Sequence, residues 1–446
     1  MPPVAIDSIR AAQRLDSRGK PTVQVEVTTS DGIFTAIVPS GASKGDYEAI
    51  ELRDADSEAF GGNGVLEAVQ NVEEVIGPAL ISHRVDLTAG LKEIDDFMIQ
   101  LDGTPDKSGL GANAILGVSM ACARACAAAR KVPLYEFIAR EMGSDTRGYT
   151  MPVPFFNVLN GGVHSGNAMS FQEFMIAPTG AKSVTQGIQY AAEVYQELMS
   201  LLIEKFGKSS IGIGDEGGFA PPISQPSEAL DLLMEAFQRS GHQGHFHIGI
   251  DPASSEFFKD DAYDLGFKAS TSNVKTKGEM ADLYHELIQR YPIALLEDPF
   301  AQDDWDAWVA FNQTCQVELV GDDLLATNLV RINKANEKKA CNALLLKINQ
   351  IGTVTEALAA ANKAFELGWS VFVSHRSGES TDPFIADLAV GVGCGHLKSG
   401  APCRGERVVK YNRLMDIEDS LIAQGQQCRY PGEHFRAAAM APVHRG

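Results

Sequence analysis

Residues 293–347 read IALLEDPFAQDDWDAWVAFNQTCQVELVGDDLLATNLVRINKANEKKACNALLLK, and this stretch says most about the fold. It contains three short apolar runs that each end in a charged side chain, and these side chains (Glu297, Asp322 and Lys347) are spaced 25 residues apart. Such an interval accommodates one buried strand, one helix and two loops, so the pattern predicts βα units around a parallel sheet. The earlier run HIGID ends in the same way at Asp251.

In a βα barrel the C-terminal ends of the strands face one mouth, where catalytic groups lie. Asp251, Glu297 and Asp322 would meet there as oxygen ligands suited to a hard divalent cation such as Mg²⁺. Lys347 would lie beside that cation, which disfavours the ammonium form and makes this lysine a candidate base. Each acid could instead cap the helix that follows its strand. The position of all three at strand ends favours a metal-assisted site for proton abstraction.

Length, charge and cysteine usage narrow the class of protein. The 446 residues exceed a barrel of about 250–300 residues and leave room for a smaller domain. The formal net charge of −20 argues against nucleic acid or an anionic membrane as a partner. Seven widely spaced cysteines without a CxxC pair indicate reduced thiols. We find no signal-peptide pattern and no apolar run of about 18–20 residues, so we expect a cytoplasmic protein without a membrane span.

The first third of the sequence differs from the rest. PTVQVEVTT and GIFTAIVP alternate apolar and polar residues around a Ser-Asp-Gly turn, which predicts an antiparallel hairpin, and helical patterns follow. We therefore predict an N-terminal α+β domain at 1–142 and a C-terminal βα barrel at 143–446, with the boundary in the polar stretch 143–148.

Strand and helix patterns alternate through the second unit. About eight strand patterns follow Pro152, among them IGIGDEGG (211–218), WSVFVSHRSG (369–378) and LAVGVGCGHLKSG (388–400). This number favours a barrel over an open sheet, although periodicity alone is also compatible with a doubly wound fold.

Three polar residues stand in segments that would reach the mouth. Glu216 lies in the glycine-rich turn GDEGGFAPP, where it is either an ordinary loop acid or a carboxyl held beside a ligand. Gln172 and Glu173 interrupt the apolar strand FQEF, which is costly unless they face a wet cavity.

Basic residues follow two later strands. His375, Arg376 and Ser377 follow WSVFV, and Lys398 follows GCGHL. An arginine beside a hydroxyl suits a phosphate because the guanidinium donates in a planar, bidentate manner. Each could alternatively be a surface residue.

Two loops remain open to interpretation. His164, in NGGVHSGN, is a lone loop histidine for which a structural or surface role is expected from the residues alone. The glycine- and serine-containing stretch 39–54, which includes Ser43, is either a simple connection or a lid over the site.

These segments together resemble the enolase family along essentially the whole chain, with HSGN (164–167) resembling the eukaryotic type. The matching motifs are DSRG (16–19), PSGAS (39–43), LNGGVH (159–164), FQEFMIAPTG (171–180), GDEGGFAP (214–221), DPASSEFF (251–258), LEDPFAQDDW (296–305), GDDL (321–324), LLLKINQIGT (344–353), SHRSGES (374–380) and KSGAPCRGER (398–407). The resemblance implies a homodimer in which an N-terminal α+β domain packs on a barrel with an irregular ββαα start.

The resemblance also implies a reaction, the Mg²⁺-dependent, reversible dehydration of 2-phosphoglycerate to phosphoenolpyruvate. Lys347 would be the general base and Glu216 the general acid, with Glu173 in support. Two Mg²⁺ ions would bind per active site, and their ligands would be Asp251, Glu297 and Asp322 for the first and Ser43 for the second, which joins with substrate. The residues implied to contact the substrate are His164, Gln172, Ser43, His375, Arg376, Ser377 and Lys398. Arg376 and Ser377 would hold the phosphate and Lys398 the carboxylate.

This chemistry sets two expectations for pKa values. Nearby Mg²⁺ and Lys398 should lower the pKa of Lys347, which must be neutral to accept a proton. Crowding with Glu173 should raise the pKa of Glu216, which must carry a proton to give to the departing hydroxyl.

Four positions depart from the family pattern without removing a proposed catalytic group, namely Lys20, Lys44, Gln302 and Gly405. Lys44 follows Ser43 and places a positive charge beside the expected second cation. The open alternatives are an enolase-like paralogue acting on another phosphorylated or phosphonylated hydroxy acid, and a moonlighting binding protein. Plasminogen capture through a C-terminal lysine is not expected, because the sequence given ends in glycine.

Overall fold

The computed structural model describes residues 2–41, 45–55, 58–144 and 146–438. Ser43 and Lys44 lie outside the described residues, so the hypotheses about them stay predictions.

The N-terminal unit is a three-stranded antiparallel sheet packed against helices. Its elements are β1 (Ile6–Leu15), β2 (Pro21–Thr29), β3 (Gly32–Ile37), α1 (Leu66–Gln70), α2 (Gly77–His83), α3 (Lys92–Asp102), α4 (Ala112–Ala129) and α5 (Leu134–Glu141), with a π-helical segment at Asn71–Ile76. The sheet order is β1-β2-β3, so the predicted β2–β3 hairpin is confirmed. Strand β1 was not predicted, because this half-exposed edge strand lacks a clear alternation of apolar and polar residues.

Helix α4 forms the centre of this unit. By length and hydropathy it could cross a membrane, contrary to our expectation that no segment would qualify, but 89% of it is buried inside the protein. Gly117 allows its close approach to the sheet, since a Cβ there would lie 2.6 Å from Val25 Cγ2. The apolar character of α4 is therefore that of a core helix.

The second unit is built around a closed barrel. Its elements in chain order are β4 (Gly148–Thr150), β5 (Val153–Asn160), β6 (Glu173–Ala177), α6 (Val184–Phe206), α7 (Pro226–Arg239), β7 (His247–Asp251), β8 (Phe258–Lys259), β9 (Ala262–Asp264), β10 (Val274–Lys275), α8 (Lys277–Arg290), β11 (Ile293–Glu297), α9 (Trp305–Asn312), β12 (Glu318–Gly321), α10 (Leu329–Lys338), β13 (Ala343–Leu346), α11 (Ile348–Ile351), α12 (Val354–Glu366), β14 (Ser370–Ser374), α13 (Phe384–Val392), β15 (His396–Lys398), α14 (Gly405–Ala423), β16 (Gln427–Arg429) and α15 (Phe435–Ala438). The barrel order is β5-β6-β7-β11-β12-β13-β14-β15.

The barrel has the expected irregular start. Strand β6 runs antiparallel to both β5 and β7, and helices α6 and α7 follow it before β7 begins. The remaining neighbours pair in parallel. The predicted fold, a βα barrel with a ββαα start and an N-terminal α+β domain, is confirmed.

One predicted strand was wrong and another was predicted too long. IGIGDEGG (211–218) begins at the last residue of a short 3-10 helix (Lys208–Ile211) and continues as an irregular loop, in which Ile213 makes only an isolated bridge to Phe219. Residues 388–392 belong to α13, and only His396–Lys398 forms a strand. All nine residues of α13 are buried, so its sequence lacks a polar face and cannot be told from a buried strand by periodicity.

The closed end of the barrel, opposite the mouth, holds a buried ionisable group. Glu318 Oε2 lies 3.0 Å from His396 Nε2, and both side chains are fully buried. The Ser370 hydroxyl donates to Glu318 Oε1. Burial would raise the pKa of Glu318, but His396 and Ser370 outweigh it and hold this pKa below its usual 4.5.

Replacing this carboxylate should destabilise the protein in a pH-dependent manner. We expect Glu318→Gln to lower the free energy of unfolding at pH 7 by about 1–3 kcal/mol, because it breaks a buried, hydrogen-bonded pair. Because the pKa of Glu318 is lower in the folded than in the unfolded protein, its carboxylate stabilises the fold above about pH 4.5, and this stabilisation is lost as the pH falls through the folded-state pKa. The difference in free energy of unfolding between the native protein and Glu318→Gln should therefore shrink below pH 4.5. Urea unfolding across pH checks this, with the exposed Glu286→Gln as control; equal midpoints at pH 7 would contradict it.

Candidate active site

The strand ends assemble charged side chains at one mouth, as the 25-residue spacing predicted. Asp251 and Glu297 are the last residues of β7 and β11, and Lys398 is the last of β15. Asp322 and Lys347 directly follow β12 and β13. Because these strands are parallel, all five side chains belong to the same end of the barrel.

The antiparallel strand β6 brings its first residue to this mouth. Glu173 starts β6 and pairs in register with Asp251 at the end of β7. Gln172 precedes it and donates its backbone N–H to the Asp251 carbonyl at 2.9 Å. Reversal of this one strand therefore explains why the polar residues stand at the beginning of β6 rather than at its end.

Two lysines lie among the carboxylates. Lys398 Nζ lies 3.1 Å from both Glu173 carboxyl oxygens, 2.8 and 2.7 Å from those of Glu297 and 3.9 Å from Asp251 Oδ2. Lys347 Nζ lies 2.5 Å from Asp322 Oδ2. These ammonium groups neutralise part of a buried negative cluster that would otherwise be costly to fold.

The donor set suits a hard divalent cation. Burial, together with mutual repulsion, raises the pKa of Asp251 well above its usual range and also raises that of Glu297, so the site favours additional positive charge. Asp298, with a positive φ of 39°, accepts the backbone N–H groups of Asp322 and Asp323 at 2.9 and 2.7 Å and so orients the loop that carries Asp322. Oxygen donors without cysteine fit Mg²⁺ rather than zinc.

The closest acidic groupings differ from the predicted ligand set. Among the described residues, candidate ligand atoms lie within 4.8 Å of one another in two groups, and these are His164 with Glu173 and Glu216, and Asp298 with Asp322 and Asp323. Asp251, Glu297 and Asp322 do not form such a group. Their assignment as ligands of one ion stays a prediction.

Glu216 is surrounded by groups that can donate hydrogen bonds. Asn157 Nδ2 donates to its Oε2 at 2.8 Å, and the Ser377 hydroxyl donates to its Oε1 at 3.4 Å. His375 Nε2 lies 3.5 Å from Oε2, and His164 Nδ1 lies 3.6 Å from Oε1. His164 is thus a buried residue of the mouth, and the surface role expected from the residues alone was wrong.

A tight glycine turn holds Glu216 in place. Gly217 adopts a φ of +87°, and the Glu216 carbonyl accepts the Ala401 N–H at 2.9 Å. Gly400 permits this approach, since a Cβ there would lie 2.6 Å from the Glu216 carbonyl oxygen.

The carboxyl with the raised pKa is Glu173 and not Glu216, contrary to our expectation. Burial and the adjacent Glu216 raise the pKa of Glu173 well above its usual range. For Glu216, burial acts in the same direction, but His375 and His164 outweigh it and hold the pKa well below its usual range. The two carboxyls therefore share a limited number of protons as one unit.

The pKa of Lys347 also differs from our expectation. Burial and Lys398 lower its pKa as predicted, but the Asp322 carboxylate outweighs them, so the pKa lies above its usual value. Lys347 is consequently a good base only when the negative charge of Asp322 is neutralised by another partner.

The predicted phosphate ligand Arg376 is held by an acid that sequence reasoning missed. Glu48, from the stretch 39–54, accepts from Arg376 Nη1 and Nη2 at 2.9 and 3.0 Å, and Asn349 Oδ1 accepts from Nη1 at 2.9 Å. Gln350 Nε2 donates to Asp322 Oδ1 at 2.8 Å. Asn349 and Gln350 lie two and three residues after Lys347, and this closeness to the candidate base was the sequence feature that could have identified them.

The same stretch is fastened to the barrel next to Glu48. Gln302 Nε2 donates to Asp46 Oδ2 at 2.6 Å, and the Tyr47 hydroxyl donates to Asp303 Oδ2 at 2.9 Å. The Arg331 guanidinium lies 3.8 Å from the centre of the Tyr47 ring. Gln302 thereby acquires a specific role, because an acid at this position would repel Asp46. We call Asp46, Tyr47 and Glu48 with their partners the loop clamp.

The fold and the site define a two-unit βα-barrel enzyme with a candidate active site at the C-terminal mouth of the barrel. Comparison with protein families extends this result. Residues 148–439 match the family described as "Enolase, C-terminal TIM barrel domain", and residues 6–138 match "Enolase, N-terminal domain". The chain therefore belongs to the enolase family. It is a lyase of the enolase superfamily, whose members use divalent metals. The acidic groups described above are candidate ligands for such a metal in this chain.

Proposed function

We propose that the protein catalyses the Mg²⁺-dependent, reversible dehydration of 2-phosphoglycerate to phosphoenolpyruvate in glycolysis and gluconeogenesis. One observation carries the proposal. A single buried mouth holds a lysine beside an exchangeable carboxylate partner, two carboxyls within 4.8 Å of each other, and the cations Arg376 and Lys398. These are the groups needed to remove a proton, deliver another and hold a phosphate and a carboxylate.

Lys347 is proposed to take the proton from the carbon next to the substrate carboxylate. That proton is weakly acidic, and its removal adds negative charge to the carboxylate, which Lys398 would face. Mg²⁺, held by Asp251, Glu297 and Asp322 and joined by a second ion at Ser43, would supply the positive charge that stabilises this state, as is general in the enolase superfamily. A cation held by Asp322 would neutralise the carboxylate that keeps Lys347 protonated.

The carboxyl pair Glu173 and Glu216 is proposed to deliver a proton to the departing hydroxyl. Since Glu173 has the raised pKa, it is the member of the pair that takes up a proton more readily. Transfer of that proton to Glu216 would precede loss of water, and His164 and Gln172 would line this side of the site. Arg376, Ser377 and His375 would bind or border the phosphate.

The test follows phosphoenolpyruvate by its ultraviolet absorbance after addition of 2-phosphoglycerate. We expect turnover with Mg²⁺, none with EDTA, and recovery when Mg²⁺ is returned in excess. A folded protein that binds Mg²⁺ but turns over no 2-phosphoglycerate would reject the proposal in favour of the paralogue with another phosphorylated or phosphonylated hydroxy acid. Assays with such acids would then identify its substrate.

We further propose a cytoplasmic homodimer of the eukaryotic type. All seven cysteines are free thiols, which supports a reducing compartment. Light scattering of the purified protein tests the dimer, and a monomeric mass at micromolar concentration would reject it.

A further inference from the structure

Arg407 is a fully buried arginine next to the candidate active site, to which no role has yet been given. It lies in the first turn of α14 and has no exposed surface. Its Nη1 donates to the Arg376 carbonyl at 2.7 Å and lies 2.6 Å from His375 Nδ1. Its Nη2 donates to the carbonyls of Ser377 and Asp215 at 2.6 and 3.0 Å. One guanidinium therefore joins the loop that follows β14 to the loop that carries Glu216.

The contact with His375 determines where the proton of this imidazole resides. A guanidinium only donates hydrogen bonds, so His375 Nδ1 must present its lone pair to Arg407. The proton of the neutral ring is then on Nε2, the nitrogen that faces Glu216 Oε2 at 3.5 Å. The charged groups that act most strongly on this ring are Glu216, Arg407 and Lys398. Burial, opposed by Glu216 and assisted by Arg407, lowers its pKa to about 4, so the ring is neutral at pH 7.

The tautomer of His375 in turn distinguishes the two oxygens of Glu216. Oε2 accepts from Asn157 Nδ2 at 2.8 Å and faces the Nε2–H of His375. A proton on Oε2 would face the N–H groups of Asn157 and His375, which donate hydrogen bonds and cannot accept one, so protonation of Oε2 is disfavoured. Oε1 faces the Ser377 hydroxyl at 3.4 Å and His164 Nδ1 at 3.6 Å, and both of these groups can accept as well as donate.

We infer that Arg407 is a positioning residue that fixes His375 as the neutral Nε2–H tautomer and thereby directs the transferable proton of Glu216 to Oε1. Its importance for turnover rests on the proposed function. The tautomer itself does not, because it follows from the contact between Arg407 and His375 alone.

The tautomer can be measured in the full-length protein without substrate. Protein labelled with ¹⁵N-histidine is studied by NMR, and the His375 resonances are identified by their loss in His375→Gln. We expect an unprotonated Nδ1 and a protonated Nε2 from about pH 6 to 8. A protonated Nδ1, alone or together with Nε2, overturns the inference, whether or not the protein turns over 2-phosphoglycerate.

The kinetic consequence is tested with Arg407→Lys. Lysine keeps the charge but cannot hold His375 and three carbonyls in one plane, so we expect kcat to fall about 10- to 100-fold and KM to change less. The matched control is Arg413→Lys on the same helix, where the arginine pairs with Asp387 at 2.8 and 2.7 Å outside the site. This control should leave kcat unchanged.

A double-mutant cycle separates positioning from general loosening of the loops. If Arg407 acts through His375, Arg407→Lys should lower kcat by less than about twofold when His375→Gln is already present. An equal loss in both backgrounds would show that Arg407 acts only on the loops and would overturn the inference. A folded wild-type protein without turnover would reject the proposed function instead, and the NMR result would then decide the tautomer.

Discussion

Lys347→Ala is expected to lower kcat for 2-phosphoglycerate by at least about 10²- to 10⁴-fold, the usual contribution of a general base. The lysine is the one proposed to accept the substrate proton, and its Nζ lies 2.5 Å from the proposed metal ligand Asp322. Loss of this side chain leaves no ammonium at that position, and the fold should persist because Lys398 still neutralises part of the buried negative cluster. Stopped-flow measurement of phosphoenolpyruvate formation gives the ratio of kcat values.

Lys347→Arg separates the charge of this residue from its basicity. Arginine can still pair with Asp322 but does not deprotonate, so it should be nearly as inactive as alanine. Exchange of the substrate's carbon-bound proton with deuterated solvent should be lost in both variants. If Lys347→Arg retained most of the exchange, the assignment of Lys347 as base would be wrong. Lys363→Ala, at an exposed pair with Glu366, is the surface control.

Glu297→Gln is expected to weaken Mg²⁺ binding by about 100-fold or more and to reduce turnover at ordinary Mg²⁺ concentrations in parallel. Glu297 is fully buried and is the acid whose two oxygens lie closest to Lys398, at 2.8 and 2.7 Å. An amide keeps the shape but removes the charge that a divalent cation requires. Titration calorimetry on the substrate-free protein measures the affinity.

The control for this variant is Glu286→Gln, in an exposed pair with Arg290 on α8. It should bind Mg²⁺ like the native protein. Very high Mg²⁺ should restore part of the activity of Glu297→Gln if the defect lies in binding. Unchanged affinity in a folded Glu297→Gln protein would remove Glu297 from the ligand set.

The pattern of apolar and polar residues correctly predicted those strands and helices whose buried residues are apolar and whose exposed residues are polar. Asp251 and Glu297 end their strands and Asp322 directly follows its strand. These strands are short apolar runs with a polar residue at the end, and the structure places them as expected. The pattern failed for α13, which is buried all round and apolar except for Asp387, and for β1, which is half exposed. In both cases the surroundings of the element, and not its own sequence, determine its character.

The candidate site was predictable only where its groups follow a strand or a recognisable motif. The pairing of Arg376 with Glu48 joins residues 328 positions apart, and no local signal connects them. The pKa order of Glu173 and Glu216 depends in the same way on neighbours from several strands and loops, including His375 and His164. The sequence alone was sufficient to predict which chemical groups belong to the site, whereas their protonation states depend on tertiary contacts.

The loop clamp has a consequence for how this protein can be divided. Arg376 is 4% exposed, and its bidentate partner Glu48 comes from the unit that precedes the barrel. A barrel expressed alone would lose the Glu48 carboxylate that accepts from both Nη atoms of Arg376, and breaking such an ion pair costs about 3–5 kcal/mol when it is buried. We therefore expect that the barrel does not fold and function as an independent domain. Gene fusions or circular permutations that separate the two units should yield an insoluble or inactive product, while permutation within an exposed barrel loop should be tolerated.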